Sequence, residues 1–255
     1  MSDAGRETPE LSIVIPVYNE GEAVEPVLRA LDAAVGTRRE ILVVWDFDAD
    51  TTRPVVERLA SSIVGLRGVR NDLGRGVLNA MKAGVAASRG DYVVVSMADG
   101  SDEPALIDRM VALGRDGADV VAASRYMRGG RQVGGPLLKR LVSRTAGLTL
   151  HWLAGVATHD ATNNFKLYSR RFLDATTIES RGGFELAIEL TVKATLGGRR
   201  IAELPTTWRD RTAGASRFRF RTWLPRYLRW YLAALRARLS RLARGSRSAG
   251  RPAPR

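Results

Sequence analysis

Between residues 11 and 124 short apolar runs alternate with helical patterns, and each run breaks off in turn or acidic residues. LSIVIPV (11–17), EILVVWDF (40–47), SIVGLRGVR (62–70), DYVVVSMA (91–98) and DVVAAS (119–124) read as strands. YNEGEAVEPVLRALDAAV, TTRPVVERLA, GRGVLNAMKAGVAAS and PALIDRMVALGRDG read as the helices between them. Strands that are apolar on both faces need helices on both sides, so the pattern implies βαβ units around a mainly parallel sheet. Ligands of such open sheets bind beyond the carboxyl ends of the strands. Here those ends are Pro16–Glu20, Trp45–Asp50 and Met97–Asp102, three segments that bring carboxylates or turn residues to one rim.

The second half is less regular. PLLKRLVSRTAGLTLHWLAGV (136–156) reads as a long amphipathic helix, DATNNFKLYSR as a loop entering a strand, FELAIELTVKA as a helix and RRIAELPTTW as a final strand. The chain has no cysteine and two histidines, His151 and His159, which excludes thiolate chemistry and argues against a His-rich metal site. MSDAGRETPE is polar and does not read as a secretory signal, and no window supplies the roughly 18–20 apolar residues of a spanning helix.

In order, LSIVIPVYNE, VVWDFDADTT, GDYVVVSMADGSDEP, SRYMRGGR, DATNNFKLY, GFELAIELTVKA and PTTWRDRTAGASRF resemble glycosyltransferase family 2, and within it the branch of dolichol-phosphate mannose synthase and polyprenyl-phosphate glycosyltransferases. The resemblance covers about residues 11–220. It implies a GT-A fold (a Rossmann-like, mainly parallel sheet flanked by helices). The implied activity is inverting transfer of a hexose from a GDP- or UDP-sugar to a polyprenyl or dolichyl phosphate. An acceptor in a soluble or cell-wall glycan, or a non-catalytic nucleotide-sugar-binding or membrane scaffold, are the alternatives.

By the same resemblance Pro16, Tyr18, Glu20, Asp46, Gly76, Ala98 and Asp99 line the donor site. Asp99 is the ligand of a Mg²⁺ or Mn²⁺ ion on the diphosphate, with Ser101 and Asp102 as further candidates. Arg209, Arg211 and Ser216 belong to a loop closing over the donor, and Arg125, with Lys139 and Arg140, meets the acceptor phosphate. Asp160 faces the reaction centre as an organiser, since an ionised phosphate needs no strong base. Glu185 and Glu189, one turn apart, place a carboxylate either on the sugar or on the surface. Two positions depart from the family pattern. Met97 stands where the first acid of Asp-x-Asp belongs, and Trp45 where the first acid after the second strand belongs. Methionine is a poor ligand for a hard cation. Asp102 and Asp50 also fit simple helix-start roles, and Gly76 a plain turn.

Net charge is +13, but twelve arginines, with no lysine or acid, lie between Arg217 and Arg255, so residues 1–216 carry only +1. Leu224, Leu228, Tyr231, Leu235, Leu239 and Leu242 fall within roughly 80° of one another at 100° per residue. Residues 221–244 are therefore expected to form a basic amphipathic helix for a peripheral, anionic membrane surface at the cytoplasmic face; docking on the protein's own body or on a partner subunit is the alternative. No nucleic-acid partner is expected, because no nucleic-acid-binding fold accompanies the arginines. Residues 1–10 and 245–255 are expected to be disordered.

Overall fold

The computed structural model of the chain describes residues 8–181, 183–210 and 220–249. The elements run β1 (Leu11–Pro16), α1 (Val24–Ala34), β2 (Arg39–Trp45), α2 (Arg53–Leu59), β3 (Leu66–Arg70), α3 (Val77–Ala87), β4 (Tyr92–Val95), α4 (Ile107–Arg115) and β5 (Val120–Ser124). The second half adds β6 (Arg131–Val133), α5 (Leu137–Ala154), β7 (Lys166–Ser169), α6 (Arg170–Asp174), α7 (Leu186–Leu196), β8 (Ile201–Pro205), β9 (Thr207–Arg209) and α8 (Phe220–Ala249).

Seven strands form one sheet in the order β3-β2-β1-β4-β7-β5-β8. All pairings in it are parallel except those of β7, which runs antiparallel between β4 and β5. The alternation of side chains sorts the core into two layers. Ile13 and Ile15 pack with Leu28, Val55 and Met110 from α1, α2 and α4. Val14, Leu42 and Val44 pack with Leu78 and Met81 of α3 and Leu190 of α7. The second layer is close: a Cβ at Gly84 of α3 would come within 2.3 Å of Val14 Cγ1, so glycine is what lets the helix approach the strand.

Three elements differ from the sequence expectation. RRIAELPTTW divides at Thr206 into β8 and β9, and β9 leaves the main sheet to pair in parallel with β6, a strand hidden in the basic loop SRYMRGGRQV. The helix α8 continues to Ala249, past the expected end at 244, because Gly245 alone does not halt an arginine- and alanine-rich run. It is also docked on the body. Trp230 and Ala234 are buried against Leu150, Ile188 and Val192 of α5 and α7, with Tyr227, Tyr231 and Leu235 at the border. The Trp230 Nε1–H donates to Ser180 Oγ (3.1 Å) and the Tyr231 hydroxyl to Thr149 Oγ1 (2.9 Å). The stripe expected to face lipid is thus turned partly inward, since two indole and phenol groups with polar handles find partners there. Among the described residues no helix is long and apolar enough to cross a membrane.

Candidate active site

The parallel strand ends converge on one rim. At the end of β1, Pro16 is buried, Tyr18 is open and Glu20 is half-buried. Asn19 adopts a left-handed φ of 53°, a conformation its short polar side chain tolerates. Both oxygens of Asp50 accept from the Asn19 N–H (3.1 and 3.0 Å), and Oδ1 also accepts from the Thr52 N–H (2.9 Å). Asp50 is therefore a buried clasp joining the first two strand ends. The Glu20 N–H is taken up by Thr52 Oγ1 (3.0 Å) in the same clasp.

Asp46 accepts from Asn71 Nδ2 (2.7 Å) through Oδ1 and from the Gly76 N–H (2.8 Å) through Oδ2. The GRG turn therefore spends this amide on Asp46 rather than holding it open for phosphate, and Gly76 takes a φ of 131° to do so. Tyr18 meets Phe47 edge-on at 5.5 Å, and the Arg75 guanidinium lies 5.0 Å over the other ring. Trp45 plays no part at the rim. Its indole packs against Gly68, where a Cβ would come within 2.0 Å of the ring.

At the end of β4, Ala98 is buried and Asp99 half-buried, with Asp99 Oδ1 accepting from the Ser101 N–H (3.1 Å). Asp102 turns back on the strand: Oδ2 accepts from the Met97 N–H (2.9 Å) and Ser96 Oγ (3.1 Å). It does not cap the next helical segment, which begins at Pro104. Loss of solvation pushes the Asp102 carboxyl up to about 7; the Met97 N–H opposes this and the charge of Asp99 adds to it. Two carboxylates that repel each other in a poorly solvated turn fit a divalent cation. Among the described residues no group of three or more His, Asp or Glu could hold one by itself. Such a cation would need phosphate and water oxygens as its other ligands, the usual habit of Mg²⁺. Ser101 is buried and its carbonyl accepts from the Arg209 N–H (3.4 Å), while Glu103 accepts from the Thr207 N–H (3.2 Å). Strand β9 thereby brings Arg209 beside the Asp99 turn. Arg211 and Ser216 lie outside the described residues.

The end of β5 holds an ion pair. Arg125 Nε and Nη2 grip Asp160 Oδ2 and Oδ1 at 2.6 and 2.9 Å, and the Arg125 N–H also donates to Oδ2 (3.1 Å). Ser143 Oγ and Thr162 Oγ1 accept from Nη2, each at 3.2 Å, and Tyr126 lies 4.9 Å beneath the guanidinium. The side chains are 10% and 0% exposed. Burial alone would raise the Asp160 carboxyl, but the charge and hydrogen bonds of Arg125 and the charge of Lys166 hold it below the usual aspartate range. Lys166 is itself buried in β7, where its ammonium holds the carbonyls of Asp160 (2.9 Å) and Asn163. Burial pulls it down to about 7 against the opposing charge of Asp160. One residue before Asp160, the His159 N–H and Nδ1 and the Thr158 hydroxyl all engage Glu203 of β8 at 2.5–2.9 Å, so the loop is fixed from both sides.

Arg125 opens onto a cavity of about 510 Å³ lined also by Tyr126, Arg131, Gln132, Arg140 and Arg144. Lys139 lies in the same helix, α5. Sequence reasoning names Arg125 and Arg140 here and misses Arg131 and Arg144; the i, i+4 spacing of Arg140 and Arg144 was a usable signal for the second. The two glutamates separate. Glu189 accepts from the Glu179 and Ser180 N–H groups (2.6 and 2.9 Å) and pairs with Lys193 (2.9 Å), a structural role, whereas Glu185 is buried at the start of α7.

The profile of glycosyl transferase family 2 matches residues 12–176. A polyprenol monophosphomannose synthase of Mycolicibacterium smegmatis is 32% identical over 221 residues, which cover 83% of this chain and 82% of that protein. A dolichol-phosphate mannosyltransferase of Pyrococcus furiosus is 27% identical over 218 residues, 84% of this chain but only 60% of that longer protein. Among solved structures, glucosyl-3-phosphoglycerate synthase from Mycobacterium tuberculosis, crystallised with Mn²⁺, uridine diphosphate and glucosyl-3-phosphoglycerate, superposes with a TM-score of 0.62 at 22% identity. The match spans 90% of this chain and 80% of that one. The fold, the profile and the relatives agree: the chain belongs to glycosyltransferase family 2 and is a sugar-transferring enzyme of the GT-A fold.

Proposed function

We propose that the enzyme moves a hexose, with inversion, from a GDP- or UDP-sugar to a polyprenyl or dolichyl phosphate at the cytoplasmic face of a membrane. Residues 11–220 would be the catalytic unit. The observation that carries the acceptor reading is the cavity that joins Arg125, Arg131, Arg140 and Arg144 at the end of β5. Guanidinium forks suit a phosphate monoester, and a neutral glycan has no use for four of them. The names of the two relatives, which specify polyprenol and dolichol phosphate and mannose, support the same acceptor and make mannose the first sugar to test.

A phosphate monoester is largely ionised at neutral pH, so its oxygen is already a nucleophile. It attacks the anomeric carbon as the bond to the nucleoside diphosphate breaks, and the pair of electrons leaves with the diphosphate. The chain's task is to hold the two anions in line and to stabilise the charge that moves. Arg125, fixed by Asp160, Ser143 and Thr162, orients the acceptor. Pro16, Tyr18 and Asp46 position the nucleotide. Arg209, beside the Asp99 turn, faces the leaving diphosphate, and Arg211 and Ser216 are assigned to the same loop. Asp99, with Asp102, would hold a Mg²⁺ or Mn²⁺ ion, which when bound neutralises diphosphate charge as a Lewis acid.

Incubation with labelled GDP- or UDP-sugars, Mn²⁺ and membranes should yield a chloroform-soluble product. Label confined to water-soluble glycan would replace the lipid acceptor with a glycan. The Asp99→Ala variant should fold and lose transfer; near-wild-type activity would remove Asp99 from the site.

A further inference from the structure

Strands β6 and β9 form a small sheet of their own, with Arg131, Gln132 and Val133 opposite Thr207, Trp208 and Arg209. None of these residues is buried, so the pair has no apolar core to hold it together. Two short strands without a packed face are marginal in water. Ties at the ends of the pair keep it in place, and they lead to both halves of the site.

On the donor side, β9 is fastened to the turn that carries Asp99 and Asp102. Glu103 Oε2 accepts from the Thr207 N–H (3.2 Å) and from Thr206 Oγ1 (3.4 Å), and the Ser101 carbonyl accepts from the Arg209 N–H (3.4 Å). On the acceptor side, the Thr206 N–H donates to the Ser124 carbonyl (3.1 Å), one residue before Arg125, and the Thr206 carbonyl accepts from the Arg131 N–H (2.9 Å). Arg131 lines the arginine cavity. Thr206 is buried where these bonds cross, and a Cβ at Gly130 would collide with the same Ser124 carbonyl, so the acceptor side is drawn tight. The donor side is slack. A carboxylate that fully engages an N–H does so at roughly 2.7–2.9 Å. The longer bonds of Glu103 leave room that a fixed Asp99 turn would take up, as catalytic hydrogen bonds tighten on ligand binding.

We propose that Glu103 is a positioning residue that couples the two substrates. Nucleoside diphosphate and cation fix the Asp99 turn, Glu103 passes that order to β9 and β6, and Arg131 is thereby held ready for the acceptor phosphate. The cost of ordering the two strands falls on whichever substrate binds first, so the second binds more tightly. By linkage the gain is equal in both directions. The inference rests on the lipid-phosphate acceptor reading, and the two can fail separately.

The test compares the full chain with Glu103→Ala and Glu103→Gln; glutamine keeps a carbonyl oxygen for the Thr207 N–H and loses only the charge. Calorimetric titration with a short, water-soluble isoprenyl phosphate is run with Mn²⁺ alone and with Mn²⁺ plus saturating GDP or UDP. In wild type the nucleotide should tighten isoprenyl phosphate by about fivefold or more. Glu103→Ala should bind each ligand alone no more weakly than wild type and show no coupling, and Glu103→Gln should restore it. Amide exchange gives a readout that needs no acceptor: nucleotide with Mn²⁺ should slow the Arg131 and Asp210 N–H groups, which bond the Thr206 and Val133 carbonyls, in wild type but not in Glu103→Ala. Coupling that survives in Glu103→Ala, even with a lower Tm, overturns the proposal, as does nucleotide binding to wild type that changes neither affinity nor exchange. Glu103→Gln behaving as Glu103→Ala overturns it too, because the charge would then act on the cation rather than through β9. Slowed exchange in wild type with no isoprenyl phosphate bound under any condition would leave the link from donor turn to β6 standing and remove the acceptor reading.

Discussion

The pairing of Arg125 with Asp160 can be taken apart by a double-mutant cycle. Two charged contacts at 2.6 and 2.9 Å, between side chains 10% and 0% exposed, make the pair a single unit in a poorly solvated site. In Asp160→Asn the guanidinium stays buried, and arginine cannot shed its proton to escape the cost. Breaking a buried pair in this way costs about 3–5 kcal/mol. For a chain of this size each kcal/mol moves Tm by roughly 2–4 °C, so a fall of about 10 °C is expected. Arg125→Met leaves a carboxylate behind, but Lys166 is close by and the group can take a proton, so its loss should be smaller, about 2–3 kcal/mol. With both changes neither charge is stranded, and the double variant should lie about 2 kcal/mol or more above the additive expectation. Differential scanning calorimetry or urea unfolding measures the three differences. Function should not follow stability: the double variant remains inactive, because Arg125 is the group that meets the acceptor, and Asp160→Asn, assayed below its Tm, should raise the acceptor KM more than it lowers kcat. Additivity within about 0.5 kcal/mol would show that the two residues are not a unit and would refute the role given to Asp160.

Lys166 is pulled down to about 7 in the fold but stays protonated to about 10 in the unfolded chain, so between those values the unfolded state holds the extra proton and stability rises with pH. Wild type should gain roughly 2 kcal/mol over Lys166→Met between pH 7 and 9 in urea unfolding; a pH-independent difference would contradict it. Asp102 has the opposite sign: raised to about 7, its contribution is present below the ordinary aspartate range and lost as pH rises through 7. The residue is only half-buried, so a discounted figure of about 2 kcal/mol applies. Asp102→Asn keeps an oxygen for the Met97 N–H, and without metal it should melt about 5 °C higher than wild type at pH 8, with the difference vanishing only below about pH 4, the ordinary aspartate range; equal differences at both ends would sink the burial argument. Arg144→Ala should raise the acceptor KM several-fold and leave the donor KM unchanged, measured with a soluble isoprenyl phosphate.

What could be read from the sequence was whatever depends on local pattern. Apolar runs ending in turns predicted the parallel strands and their rim, and the order of seven motifs supplied the family, because burial on both faces leaves a parallel strand little choice of residue type. What could not be read depends on pairing between distant segments. KLYS shows nothing that marks it as antiparallel, and only its neighbours Val95 and Ala122 decide its direction. The same holds in the site. Arg125 and Asp160 were both expected there, yet their mutual grip, 35 residues apart, is a product of β5 and the loop before β7 meeting at one edge. Asp50 shows the converse: a carboxylate at a strand end has the same sequence signature whether it meets a ligand or ties Asn19 to Thr52, and only its burial separates the two.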